Sequence, residues 1–136
     1  MAKPLKTPSV LVTDDNPDNR VMAIECFRAL LPHAYPDEAG NGEIALNLVR
    51  EKIRLTGKSY DLIMMDYQMP GLNGQETTLK IREMEASLKE EEKSIIITWS
   101  AAKISPYEQA NAIVKKPLIK DDLELLLIEY GYILNE

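Results

Sequence analysis

The sequence predicts an α/β protein built on a doubly wound, five-stranded parallel sheet. Short apolar runs alternate with amphipathic helical stretches five times along the chain, the pattern of strand–helix crossovers. The clearest runs, Leu62 to Met65 and Ile95 to Ile97, are apolar at every position instead of at alternate ones, as strands covered on both faces are. The length of 136 residues suffices for one core and not for two. The chain is therefore read as a single domain over residues 1–136, with its core between about 9 and 130.

After a proline-containing tail, Ser9 to Thr13 reads as the first strand and ends in Asp14-Asp15-Asn16. Pro17 suits the first turn of a helix, with Asn16 as its N-cap. Ala23, Ile24, Phe27 and Leu31 recur there at helical spacing, and Pro32 stops the helix. The second strand is poorly marked: Tyr35-Pro36, within His33 to Ala39, assigns it to an edge. Asn41-Gly42 opens a second helix with Ala45, Leu48, Val49 and Ile53 on one face, and Gly57 closes it.

The third strand ends at Asp66. The loop Met69 to Gly74 leads into a third helix carrying Thr77, Ile81, Met84 and Leu88, with Lys89 to Lys93 as its solvated end and loop. Ile95-Ile96-Ile97 forms the body of the fourth strand, ending at Ser100. A fourth helix has room for barely a turn, Pro106 to Ala110. Ala112 to Val114 is a short fifth strand ending in Lys115-Lys116-Pro117, and Leu118 to Tyr130 is the last helix. On it Leu125, Ile128 and Tyr132 line up as a second apolar stripe, which reads either as a homodimer or partner surface or as the scattered exposed apolar residues that are normal on any surface.

Composition excludes several classes of function. A net charge of −6 without a basic patch argues against nucleic acid. Apolar runs no longer than Leu125 to Ile128 argue against a membrane role, and the N-terminus lacks the pattern of a secretion signal, so a cytoplasmic location is expected. Cys26 alone forms no internal disulfide and reads as a small half-buried helix residue. His33, the only histidine, follows Pro32 in a loop, so no histidine-based metal site or Cys–His pair is built.

Four of the five strands end in residues suited to phosphate chemistry: Asp14-Asp15, Asp66, Ser100 and Lys116. Right-handed crossovers bring such ends to one edge of the sheet, where ligands of open α/β folds bind. Crowded carboxylates repel unless a cation intervenes. Oxygen ligands suit a hard divalent ion such as Mg2+, which keeps waters and phosphate oxygens as its other ligands. A lysine adds positive charge for a phosphoryl group, a hydroxyl donates to its oxygens, and a carboxylate can accept it covalently. Singly, each residue has a plainer role: aspartates form turns and caps, serines sit in turns, and lysines precede prolines in solvated loops. Lys115 competes with Lys116, and only the adjoining Pro117 selects the latter.

The chain resembles the receiver domains of two-component response regulators. The match is carried by Val12-Thr13-Asp14-Asp15-Asn16 with Asn19-Arg20, by Met64-Met65-Asp66-Tyr67-Gln68-Met69-Pro70 with Gly74, by Ile97-Thr98-Trp99-Ser100-Ala101, and by Lys116-Pro117. Each motif is short, but their order at the strand ends spans Ser9 to Tyr130. The resemblance implies a flavodoxin-like sheet of strand order 2-1-3-4-5 with five helices. It implies Asp66 as phosphoacceptor, Asp15 as direct Mg2+ ligand, Asp14 as ligand through water and the Gln68 backbone carbonyl as a further ligand. It also implies Ser100 as the hydroxyl that moves to the phosphoryl group, and Lys116 as the lysine that bridges to it.

A histidine kinase or phosphotransfer protein would supply the phosphoryl group, either to a stand-alone receiver or to one belonging to a hybrid kinase. The signal would leave by protein contact, not by turnover of a separate substrate. Two departures matter. Only fifteen residues separate Ser100 from Lys116, so the fourth helix is short or absent. Ile113, three before the lysine, stands where receivers usually carry a switch aromatic. They keep open a receiver-like adaptor that works without phosphorylation. A Mg2+-dependent phosphatase with an aspartyl nucleophile is the enzyme alternative, although Gln68 stands where such a site needs a second acid.

Overall fold

The computed structural model describes residues 2–135. In chain order the elements are β1 (Ala2–Pro4), β2 (Val10–Thr13), α1 (Pro17–Leu30), β3 (Asp37–Ala39), α2 (Gly42–Thr56), β4 (Leu62–Asp66), α3 (Gly74–Met84), a 3-10 turn (Glu90–Glu92), β5 (Ile95–Ser100), β6 (Ala112–Lys115), α4 (Lys120–Glu129) and β7 (Ile133–Asn135). Five strands form one parallel sheet in the order β3-β2-β4-β5-β6. Counted within the sheet, that is 2-1-3-4-5, as the resemblance implies.

Strand alternation divides the core into two layers. Val10, Val12, Leu62, Met64, Ile97 and Trp99 meet Ala23 and Phe27 of α1 and Leu123 and Leu127 of α4 on one face. Leu11, Ile63, Met65 and Ile96 meet Ala45, Leu46 and Val49 of α2 and Ile81 of α3 on the other. Each large apolar side chain buried in this way contributes roughly 1.5–3 kcal/mol. The layers fix the heights of the strand ends that carry the polar residues.

The caps read from sequence are formed. Asn16 Oδ1 accepts from Asp18 N at 2.8 Å and Pro17 opens α1. Asn41 caps α2 through Ile44 N, and Gly57, at φ +79°, ends it. At the start of α3 a capping box not read from the sequence forms as well, Asn73 and Glu76 exchanging side-chain-to-backbone bonds of 2.8 and 3.0 Å. The weakly marked edge strand β3 gains support from distant side chains: Tyr60 donates to Asp37 Oδ2 at 2.7 Å and Arg20 pairs with Glu38 at 2.9 Å.

Several expectations are corrected. The third helix ends at Met84, so Leu88 lies beyond it, and the acidic run forms the 3-10 turn instead of a helix end. The cause is Glu85, fully buried, whose carboxylate accepts from Ser94 N, Ser94 Oγ and Arg82 Nη1 and draws the chain off the helix axis. Leu118 precedes the last helix, which starts at Lys120. Tyr132 is buried in the core, which leaves exposed Leu125 and half-buried Ile128 of the expected stripe. The N-terminal tail is a strand that pairs antiparallel with β7.

No fourth helix lies between β5 and β6. Residues 101–111 form an irregular strap with a single turn. It runs over the α2/α3 face, where Ile113, beside Thr98, is only half-buried. Among the described residues no helix is long and apolar enough to cross a membrane.

Candidate functional site

The carboxyl edge of the sheet gathers the expected residues. Asp14 and Asp15 follow β2, Asp66 ends β4, Ser100 ends β5 and Lys116 follows β6. One carboxylate oxygen from each of Asp14, Asp15 and Asp66 lies within 4.8 Å of the other two. Asp14 and Asp66 are buried and Asp15 is exposed. Lys116 Nζ stands 2.6 Å from Asp14 Oδ2 and 3.0 Å from Asp66 Oδ1, so one ammonium spans two carboxylates. Lys115 is exposed, and of the two lysines Lys116 is the one that meets the carboxylates.

Backbone bonds hold these positions. Asp14 N donates to Ala39 O, Tyr67 N to Trp99 O, and Lys116 N to Ser100 O at 2.8 Å, so neighbouring strand ends are laced just where the site residues emerge. Asn16 N donates to Asp14 Oδ1 at 2.8 Å and Asn19 Nδ2 lies 3.4 Å from both its oxygens. The Lys116–Pro117 peptide bond is cis. Gly74 packs against the backbone of Asp66 and Tyr67, with its N–H on Tyr67 O at 2.8 Å.

Burial pushes the Asp66 carboxyl up to about 6; the Lys116 hydrogen bond opposes that rise and nearby Asp14 adds to it. For Lys116, burial disfavours the charged form, but the Asp14 and Asp66 carboxylates outweigh it and hold the ammonium above its ordinary range. The metal-free site is thus acidic in excess: three carboxylates face one lysine. Such an all-oxygen set fits a hard divalent cation. Gln68 is exposed in the loop after Asp66, with its backbone amide toward that carboxylate. Ser100 is buried, and its Oγ accepts from Ala102 N at 3.1 Å.

Two contributions were not foreseen. Trp99 packs in the core with its indole N–H on Thr13 O, and Lys116 Nζ sits 4.9 Å from its ring centroid, a cation–π contact. Tyr107, from the strap, shares a 2.6 Å hydrogen bond with Thr98 and a 3.5 Å contact with Thr78, and its ring lies 6.2 Å from that of Tyr67. No local pattern around Tyr107 signals this role, because its partners are brought by β4, β5 and α3. The strap otherwise spans a cleft of about 310 Å³ between Ser100, Ile104 and Ile113. A larger cleft of about 440 Å³ around Arg82, Ser94 and Asn111 is away from the carboxylates.

Tyr107→Phe tests what the hydroxyl contributes. Loss of one hydrogen bond, about 1 kcal/mol, should speed amide exchange of residues 103–110 about fivefold. Unaltered exchange would show that the strap is held by other contacts.

Residues 10–127 match the response regulator receiver domain family. The chain is 33% identical over 127 residues to the two-component response regulator ORR41 of Oryza sativa subsp. japonica, covering 89% of this chain and 92% of that protein. It is 36% identical over 83 residues to the sensor histidine kinase GacS of Pseudomonas protegens, but spans only 8% of that protein's length. Among solved structures it resembles the receiver domain of the histidine kinase CKI1 from Arabidopsis thaliana complexed with Mg2+ and BeF3−, with TM-score 0.74, 28% identity and 90% of each chain covered.

Proposed function

The chain belongs to the response regulator receiver domain family, and from that premise we propose that it is a single receiver domain whose Asp66 accepts a phosphoryl group from a histidine kinase or histidine phosphotransfer protein. The observation that carries this reading is the meeting of Asp14, Asp15 and Asp66 within 4.8 Å at the carboxyl edge, with Lys116 bridging two of them. An Asp66 carboxylate oxygen bonds to phosphorus as the donor's P–N bond breaks, and the imidazole departs with that bond's electron pair. Lys116 and the Ser100 hydroxyl neutralise and orient the phosphoryl oxygens.

Asp15 and Asp66 would hold Mg2+ directly, Asp14 through water, and the Gln68 carbonyl would complete the protein ligands. The ion, when bound, supplies positive charge to the phosphoryl oxygens. The CKI1 receiver, complexed with Mg2+ and BeF3−, supports this assignment. Receivers are signalling domains, and the chemistry of this one is confined to self-catalysed gain and loss of the phosphoryl group. Output would run through the surface of the Ser100–Tyr107 strap and β6, by protein contact. Ile113 offers no ring to swing inward, so the usual paired motion of a serine and a strand aromatic has no counterpart here.

The aspartyl phosphatase alternative is not favoured, since the place of its second acid is the exposed Gln68. Intact mass after incubation with acetyl phosphate tests the proposal. Wild type should gain one phosphoryl group only when Mg2+ is present, and Asp66→Asn should gain none. An unmodified wild type that also fails to bind beryllofluoride would favour an adaptor that works without phosphorylation.

A further inference from the structure

Arg20 sits beside the acidic cluster yet touches none of its carboxylates. Its Nη1 donates to the backbone carbonyl of Asp14 at 2.7 Å, and its Nε is paired with Glu38 Oε1 of β3 at 2.9 Å. The side chain is 18% exposed, so the guanidinium is largely enclosed between the start of α1 and the edge strand. The Asp14 carbonyl and the Asp15 N–H belong to one planar peptide unit. A donor that fixes the carbonyl therefore fixes the plane from which Asp15 departs. Nothing else in the β2–α1 turn grips that carbonyl: Asn16 N and Asn19 Nδ2 both go to the Asp14 side chain.

We infer that Arg20 is a positioning residue for divalent-cation binding. It orients the Asp14–Asp15 peptide so that the exposed Asp15 carboxylate is held toward Asp66, and Glu38 holds the guanidinium in place from β3. The inference rests on the proposed Mg2+ site and adds to it a residue that acts through the backbone. Its consequence runs against simple electrostatics. Removing a positive charge near a cation site should tighten cation binding by Coulomb's law alone, whereas removing a positioning group should weaken it.

The sign is read by titrating Mg2+ calorimetrically, without phosphodonor, into wild type, Arg20→Ala, Arg20→Lys and Glu38→Gln. Arg20→Ala is expected to weaken Mg2+ about tenfold, as loss of groups that orient metal ligands does. Arg20→Lys, which keeps the charge but has no planar fork to engage carbonyl and Glu38 together, should fall between wild type and alanine. Glu38→Gln should also weaken binding a few-fold, but loss of its negative charge has that sign by itself, so the charge-conserving Arg20→Lys keeps the inference testable if Arg20→Ala does not fold. With acetyl phosphate, the Mg2+ concentration giving half-maximal adduct formation should rise by the same factor as the dissociation constant, and the maximal rate should fall much less. Binding that is unaltered or tighter in a folded Arg20→Ala or in Arg20→Lys overturns the inference alone. Absence of Mg2+ binding in wild type overturns the site reading and this inference with it.

Discussion

Lys116→Ala is expected to slow phosphoryl transfer to Asp66 at least about 10²-fold, the effect of deleting one preorganised group that stabilises transition-state charge. It should also destabilise the metal-free protein by about 3 kcal/mol, because removing one partner of a buried ion pair leaves the other uncompensated. Here two carboxylates lose their counter-charge at once, since Nζ contacts both Asp14 and Asp66.

The pH dependence has a definite sign. Burial raises the Asp66 carboxyl from 3.8 in an unfolded chain to about 6, so the folded state binds the extra proton. The stability tied to that group is present below about 3.8 and is lost as pH rises through about 6. Without Lys116 the carboxyl should rise further, and the deficit of the variant should therefore shrink on going from pH 7.5 to pH 5.5. Urea unfolding midpoints of both proteins at the two pH values, without Mg2+, read this directly. A deficit that stays constant or widens at the lower pH would contradict the assignment of Lys116 as the counter-ion. Mg2+ at pH 7.5 should restore part of the lost stability by binding only the folded state.

Gly74→Ala is the second large effect. A Cβ there would run into the Asp66 carbonyl oxygen, with Tyr67 Cα only 2.8 Å away. These are backbone atoms of the strand end that carries Asp66, so no side chain can rotate to relieve the clash. A loss of about 3 kcal/mol is expected, at the upper end for overpacking, which for a domain of this size lowers the melting temperature by about 10 °C. Gly71→Ala is the internal comparison. Gly71 has φ +76° and open space around its missing Cβ, so alanine there meets only the left-handed backbone penalty of about 1 kcal/mol. Equal melting temperatures for the two variants would show that the loop relaxes around Gly74.

The sheet was legible because its central strands are apolar at every position, and the site because its residues stand at strand ends. Leu62 to Met65 followed by Asp66 shows both at once. The choice of Lys116 over Lys115 needed the adjoining proline; in the structure Lys116 is the lysine that meets Asp66. What escaped was non-local. β3 has exposed Asp37 and Glu38 and no apolar alternation; Tyr60 and Arg20, far away in sequence, help to hold it. The end of α3 depends on Glu85 meeting Ser94 across a turn. The spacing from Ser100 to Lys116 did forecast the missing helix, whereas the anchoring of its replacement by Tyr107 required partners from three other elements.

The antiparallel pairing of Ala2–Pro4 with Ile133–Asn135 governs how the domain is tethered. α4 starts at the carboxyl edge of the sheet and runs back toward the amino edge, so the ribbon that follows it lies on the side away from Asp66. Any chain continuing from position 2 or from position 135 leaves from one shared exit, remote from Asp66. A tether attached there swings the domain like a lamp on a single bracket and leaves the acidic edge uncovered. Force applied between the two ends would open the ribbon one residue pair at a time, from the Ala2–Asn135 end, before it loaded the parallel sheet.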